Sequence, residues 1–160
     1  LQIKQEINER KKNVCFSQLS NDICLSIKNQ LEIANAELKW DFSEVDEILT
    51  LKSYLQSIFY NLILNSLKYR QPQRKPIIEI KSYKMKNKIE LLFRDNCMGI
   101  DLQKNGDQVF GLYKRFHNNE IEGKGLGLFM VKTQVEAIGG KISIKSEVNK
   151  GTEFKIELEA

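Results

Sequence analysis

The sequence predicts an α+β fold, a two-layer α/β sandwich whose mixed, mostly antiparallel sheet of about five strands is covered on one face by three helices. Three observations predict it. Apolar residues recur at helical spacing in three segments, 17–36, 51–69 and 125–138. Apolar and polar residues alternate, as in half-buried strands, over 36–42, 77–83, 89–95, 141–146 and 152–158. The order is helix, strand, helix, two strands, a long irregular stretch, helix, two strands, and two of the strand pairs are joined by turns short enough for antiparallel hairpins.

Leu1, Ile3 and Ile7, interleaved with Glu6, Glu9 and Arg10, have the pattern of a helix tail. Residues 1–14 are therefore expected to be a linker or the tail of a preceding helical domain, and 15–160 the domain itself. Phe16, Leu19, Ile23, Ile27 and Leu31 recur at steps of three and four, which predicts one amphipathic helix over 17–36. Leu38, Trp40 and Phe42 then share one face of a strand. The second helix packs through Leu55, Phe59, Leu62, Ile63 and Ser66 and places Asn61, Asn65 and Lys68 at i, i+4 and i+7 on the opposite side, with Tyr69 nearby. Periodicity alone leaves this polar row open between a solvated face and a site. Pro72 and Pro76 break the helix, and Ile77 begins a hairpin that turns at Lys86-Asn87-Lys88 and ends at Asp95. Residues 96–122 carry Gly99, Gly106 and Gly111 and few periodic apolar residues, and a stretch of that length in a compact domain points to a functional lid. Leu128, Val131, Val135 and Ile138 form the stripe of the third helix, which Gly139-Gly140 ends. The last hairpin turns at Asn149-Lys150-Gly151.

A chain of 160 residues is about one domain, and 41% hydrophobic with 29% charged residues is the balance of a soluble globular protein. It has neither an apolar run long enough to span a membrane nor an export signal, so no membrane contact by this domain and a cytoplasmic location are expected, within a full-length protein that is compatible with membrane anchoring. Cys15, Cys24 and Cys97 are odd in number, lack C-x-x-C spacing and have only His117 beside them, which argues for reduced thiols and against a zinc site. Residues 68–88 hold eight basic residues against one acid, Glu79. With no aromatic platform beyond Tyr69 and Tyr83, this reads as a solvated face and no nucleic acid is expected.

Gly123-Lys124-Gly125-Leu126-Gly127-Leu128 marks the switch into the third helix. Alternate glycines let backbone N–H groups turn toward an anion at a helix N-terminus, but they also make ordinary turns. A Walker A loop is excluded, because it needs Gly at Asn118 and Ser or Thr at Gly125.

Five segments in order carry a family likeness: Asn61-Leu62-Ile63-Leu64-Asn65-Ser66-Leu67-Lys68-Tyr69, Asp95-Asn96-Cys97-Met98-Gly99-Ile100, residues 109–117 with Lys114-Arg115-Phe116, the glycine stretch at 123–128, and Gly151-Thr152-Glu153-Phe154. Together they resemble the N box, first glycine box, F box, second glycine box and last motif of the ATP-binding catalytic domain of two-component sensor histidine kinases, within the GHKL superfamily. The resemblance covers about residues 16–160 and implies the Bergerat ATP-binding fold with a long ATP lid.

It also implies ATP and Mg2+ as ligands. Asn65 is then the metal ligand, and Asn61 orders the triphosphate. Asp95 accepts a hydrogen bond from the adenine amine, Gly99 gives the ring space, and Thr152 contacts adenine through water. Lys68, Arg115 and Lys124 neutralise phosphate charge, Tyr69 packs by the phosphates or sugar, and Gly125, Leu126, Gly127 and Leu128 offer N–H groups to the phosphates. Cys97 stands where the family usually has glycine. If that position needs φ > 0, strain of about 1 kcal/mol would weaken binding.

Superfamily members that hydrolyse ATP use a Glu four residues before the metal-binding Asn as general base. Here Asn61 occupies that place, and an amide cannot take the proton. The implied reaction is transfer of the γ-phosphoryl group to a histidine on an upstream dimerisation and phosphoacceptor helical domain, with a response regulator served indirectly. His117, followed by Asn118-Asn119, lacks the acidic neighbour of an acceptor. Two alternatives stay open: a serine-type kinase of the same superfamily acting on a partner protein, and a degenerate nucleotide-binding module without catalysis.

Overall fold

The computed structural model describes residues 9–105, 109–110 and 124–160. The elements run β1 (Lys12–Cys15), α1 (Phe16–Ser26), α2 (Lys28–Ala34), β2 (Glu37–Asp41), β3 (Glu47–Thr50), α3 (Lys52–Lys68), β4 (Ile77–Lys84), β5 (Lys88–Asp95), α4 (Leu102–Asn105), α5 (Lys124–Ala137), β6 (Lys141–Glu147) and β7 (Gly151–Glu159). The main sheet has five strands in the order β2-β4-β5-β7-β6, and β1 and β3 form a separate two-stranded sheet. Among the described residues, only β2 and β4 pair parallel, with α3 in the connection between them; the other main-sheet pairs are antiparallel. The expected mixed, mostly antiparallel sandwich is what the chain forms.

Two expectations are corrected, and a third gains detail. The single helix over 17–36 is two helices that meet at Ile27, whose φ of −113° and ψ of 23° leave the helical region. Ile27 and Leu31 remain buried, so the apolar stripe runs through the break and periodicity cannot register it. Lys12 to Val14, assigned to the linker, belong to β1, which pairs antiparallel with β3 and so joins the body; neither strand was foreseen. Within 96–122, Leu102–Asn105 form a short helix, and Val109 and Phe110 enter the core, the Phe110 ring 6.2 Å from that of Phe154. Residues 1–8 of the expected linker or helical tail, and the remaining segment of the expected lid, lie outside the described residues.

Alternation along β4, β5, β6 and β7 sends one set of side chains toward the helices and the other toward water. The register joins Ile80, Phe93, Phe154 and Ile144 into one core-facing row, and Ser82, Leu91, Ile156 and Ile142 into the next. Phe59 of α3 meets Phe93 edge-on with ring centroids 4.9 Å apart and stacks on Phe16 of α1 at 6.1 Å, binding two helices to the sheet. On the opposite face, the register aligns Lys39, Glu79, Arg94, Glu153 and Lys145 in a row of alternating sign. Lys81 and Lys88, from the basic stretch, pair with Glu79 and Glu157. That face is the solvated one, as its composition suggested.

Both long helices that open the fold begin on residues that make no side-chain cap, Cys15 and Leu51. Each takes a carboxylate from elsewhere. Asp46 accepts the Ser17 N–H at 2.8 Å and the Ser17 hydroxyl at 2.7 Å at the start of α1. Glu9 accepts the Ser53 N–H at 3.0 Å and the Ser53 hydroxyl at the start of α3. These bonds satisfy donors that the first turn of a helix leaves unpaired and set a negative charge against the positive end of the dipole. They hold Glu9's carboxyl below the usual carboxylate range, the Ser53 hydroxyl contributing most.

Candidate functional site

The row that continues the core-facing pattern to the end of the sheet is not apolar. It reads Ile78, Asp95, Thr152 and Ser146, placed by the same register that aligned the phenylalanines. Asp95 therefore points to the helix side of the sheet where the strands stop, the usual position for a binding carboxylate.

Its carboxylate is fixed from three directions. Oδ1 accepts the backbone N–H of Cys97 and that of Thr152, each at 3.0 Å. Oδ2 accepts the hydroxyl of Ser66 on α3 at 2.5 Å. An ionised carboxylate has about four acceptor positions, so one is left for a further donor. Beside it, the Ser146 and Thr152 hydroxyls lie 2.8 Å apart, and Ser146 Oγ accepts the Ile100 N–H at 2.7 Å. Cys97 Sγ is 3.6 Å from Thr152 Oγ1 and is buried. Burial, and next the charge of Asp95, push the Cys97 thiol up to about 12, so it stays protonated at neutral pH.

The loop between Asp95 and Ile100 is anchored along its length. Asn96 accepts the Ile77 N–H through Oδ1 and donates to the Lys75 carbonyl through Nδ2, both at 2.9 Å. Met98 donates its N–H to the Tyr69 carbonyl at 2.8 Å and accepts the Asn149 N–H at 2.7 Å. Gly99 has φ of 78°, and a Cβ there would overlap the Glu147 carbonyl, so packing against β6 alone demands glycine. Gly151, φ 142°, is required in the same way by the Asp95 carbonyl. Cys97 carries no such demand. Among the described residues, the non-glycine positions with positive φ are Asn35 and Asn149, so the strain anticipated for Cys97 is absent.

On α3 the predicted polar row adjoins this cluster, since Ser66 directly follows Asn65. Asn61 is half-buried and donates Nδ2 to the Ser57 carbonyl at 2.8 Å and to the Ser57 hydroxyl at 3.1 Å, which turns its Oδ1 outward from the helix backbone. Asn65 is half-buried as well, and its amide takes no hydrogen bond among the described residues. Lys68 is exposed in the last turn, and Tyr69, which ends the helix, is buried. At α5, Leu128 is in the core and Gly127 has nothing near a prospective Cβ. Lys124, Gly125 and Leu126 lie in the first turn of that helix. Gly123, Arg115 and His117 lie outside the described residues.

The structure thus brings Asp95, Gly99 and Thr152 together and sets Asn61, Asn65, Lys68 and Tyr69 on the adjoining helix. Sequence reasoning missed two members. Ser66 was read as a packing residue, which its burial supports, while its hydroxyl was not placed; Ser146 was read only as the end of a strand.

Residues 50–160 match the family described as histidine kinase-, DNA gyrase B-, and HSP90-like ATPase. The chain belongs to this family. Similar curated members include sensor protein RprX of Bacteroides fragilis (strain YCH46), 24% identical over 97% of this chain and 30% of that protein. Sensor protein kinase WalK of Staphylococcus aureus is 28% identical over 98% of this chain and 37% of that protein, and cyanobacterial phytochrome A of Nostoc sp. (strain PCC 7120) is 32% identical over 67% and 14%. The chain therefore spans well under half the length of these relatives. Among solved structures, the catalytic domain of histidine kinase ThkA superposes with a TM-score of 0.79 at 17% identity, covering 94% of this chain and 95% of that one. Full-length ShkA, solved in complex with AMPPNP, gives 0.80 at 19% identity, covering 95% and 32%. The fold is thus that of histidine kinase catalytic domains, the Bergerat fold, and the chain is an ATPase domain of the histidine kinase type. Among the described residues, no helix is long and apolar enough to cross a membrane.

Proposed function

We propose that this domain binds Mg-ATP and delivers the γ-phosphoryl group to a histidine on a separate helical phosphoacceptor domain, as part of a two-component system in the cytoplasm. The observation that carries the reading is the Asp95 carboxylate, held by two backbone N–H groups and Ser66 with one acceptor position left over. That position suits an exocyclic amine, and the Thr152 and Ser146 hydroxyls beside it suit a water shared with a purine ring. The amide of Asn65 suits Mg2+, a hard cation that takes oxygen ligands and keeps most of its waters. Bound there with the triphosphate, the metal supplies charge neutralisation. Asn61 orders the triphosphate, and Lys68, with Arg115 and Lys124, offsets its remaining charge. Tyr69 packs against the phosphates or sugar, and the first turn of α5, Gly125 to Leu128, offers N–H groups to the phosphates.

In the transfer, an imidazole nitrogen of the acceptor domain attacks the γ-phosphorus as the bond to the bridging oxygen breaks, leaving ADP. The domain contributes position and electrostatics. Asn61 cannot serve as a base for water, so hydrolysis is slow. The degenerate-module alternative rested on strain at Cys97, and the backbone there has no positive φ to impose it.

Incubation with γ-labelled ATP tests the reaction. The chain alone is expected to take up no label at His117, and to label a histidine-bearing helical domain supplied in trans. Stoichiometric acid-labile label on the chain itself would overturn the assignment, and label on serine of a supplied partner would favour the serine-kinase alternative.

A further inference from the structure

We infer that Ser66 is a positioning residue for base selectivity: its hydroxyl fixes the direction in which Asp95 presents its one remaining acceptor. The inference rests on the nucleotide reading of the site. Ser66 is buried, and its single proton has two acceptors in reach, the Leu62 carbonyl of its own helix at 3.3 Å and Asp95 Oδ2 at 2.5 Å. A helix serine ordinarily returns its proton to the preceding turn. Here the nearer and charged acceptor takes it, and a hydrogen bond to an ionised group is about twice as strong as one between neutral groups.

The consequence follows from the carboxylate's own geometry. Two N–H groups, from Cys97 and Thr152, occupy Oδ1. With only those bonds, Asp95 can still rock about its terminal torsion, because both N–H groups bind the same oxygen. Ser66 holds the second oxygen from the α3 side and stops that motion. The remaining acceptor position on Oδ2 then faces one way, and only a ring with an N–H donor at that place satisfies it. A ring carrying a carbonyl there sets two acceptors against each other. Because Ser66 directly follows Asn65, the tether also fixes the spacing between the base-reading carboxylate and the α3 row.

The test compares ATP with inosine triphosphate, which has a carbonyl in place of the amine, by displacement of a fluorescent ATP analogue, an assay that reaches millimolar affinities. Ser66→Ala is expected to weaken ATP binding about tenfold or more while changing inosine triphosphate binding less than about twofold, so that the preference for ATP falls by about the same factor. Retained inosine triphosphate binding also shows that the variant is folded. Equal losses for both nucleotides would show a purely structural role and overturn the inference, as would an unchanged preference. If the unaltered chain displaced the probe with neither nucleotide, the nucleotide reading itself would fail, and this inference with it.

Discussion

The strand-end cluster around Asp95 and the polar row on α3 are built on opposite principles. Every member of the cluster is held by the fold: Asp95 by three bonds, Asn96 by two, and the Met98 and Gly99 backbone by Tyr69, Asn149 and the close approach of β6. The row is less committed. Among the described residues, the Asn61 amide bonds only within its own helix, and the Asn65 amide takes no hydrogen bond. One end of the site is thus tied to elements far apart in the chain, whereas the Asn61 and Asn65 amides of the other make no side-chain bond beyond their own helix among the described residues. Substitutions at the first should cost stability and binding together, and substitutions at the second binding alone.

The sharpest contrast is between two glycines. Gly99→Ala forces a Cβ against the Glu147 carbonyl at positive φ and is expected to destabilise by about 2–4 kcal/mol. Gly127→Ala, inside α5 with open space around it, is expected to stabilise by up to about 1 kcal/mol. Thermal unfolding of both measures the difference. A loss of nucleotide affinity in a stabilised Gly127→Ala would then be a ligand effect.

Asp95→Asn comes next. It replaces a charged acceptor with an amide that must turn a donor toward one of its present donors, and ATP affinity should fall about ten- to hundredfold with some loss of stability. A fall in stability with binding intact would sever the cluster from the ligand.

Cys97 gives a pH test. Its folded pKa, pushed up to about 12, lies above that of an unfolded thiol, so the native state holds its proton more tightly. That contribution to stability is complete below about pH 8.5 and is lost as pH rises toward 12. At pH 8 Cys97 should therefore alkylate at least about a hundredfold more slowly than Cys15 and Cys24, which are partly exposed, and mass mapping of the alkylated sites reads this directly. Equal rates at all three would contradict the buried placement.

The smallest effect is expected on the open face. Glu153→Ala removes the partner of Arg94, an exposed pair bonded at 2.7 Å, and should change stability by less than about 1 kcal/mol and nucleotide binding not at all. A large binding effect would mean that the ligand reaches the solvated face of the sheet.

The contrast also explains what could be read from the sequence. Strong periodicity gave α3, α5 and the five main strands within a residue or two, and the motifs led to Asp95, Gly99, Thr152, Asn61 and Asn65. The short strands β1 and β3 were invisible because each has four residues and few buried ones. The break at Ile27 was hidden because the apolar stripe crosses it. Ser66 and Ser146 were missed because a serine hydroxyl leaves no spacing signal, and their partners Asp95 and Ile100 are 29 and 46 residues away. The α3 row was visible as amides and a lysine on an apolar helix, whereas its purpose came only from the family likeness.

Calorimetric titration of the chain and of Asn65→Ala with a non-hydrolysable Mg-ATP analogue, with and without the metal, tests the central claim most directly. The account predicts that the unaltered chain binds more tightly with Mg2+ present, and that Asn65→Ala loses this gain while melting within about 1 kcal/mol of the original. Binding by Asn65→Ala that keeps its full metal dependence would contradict it.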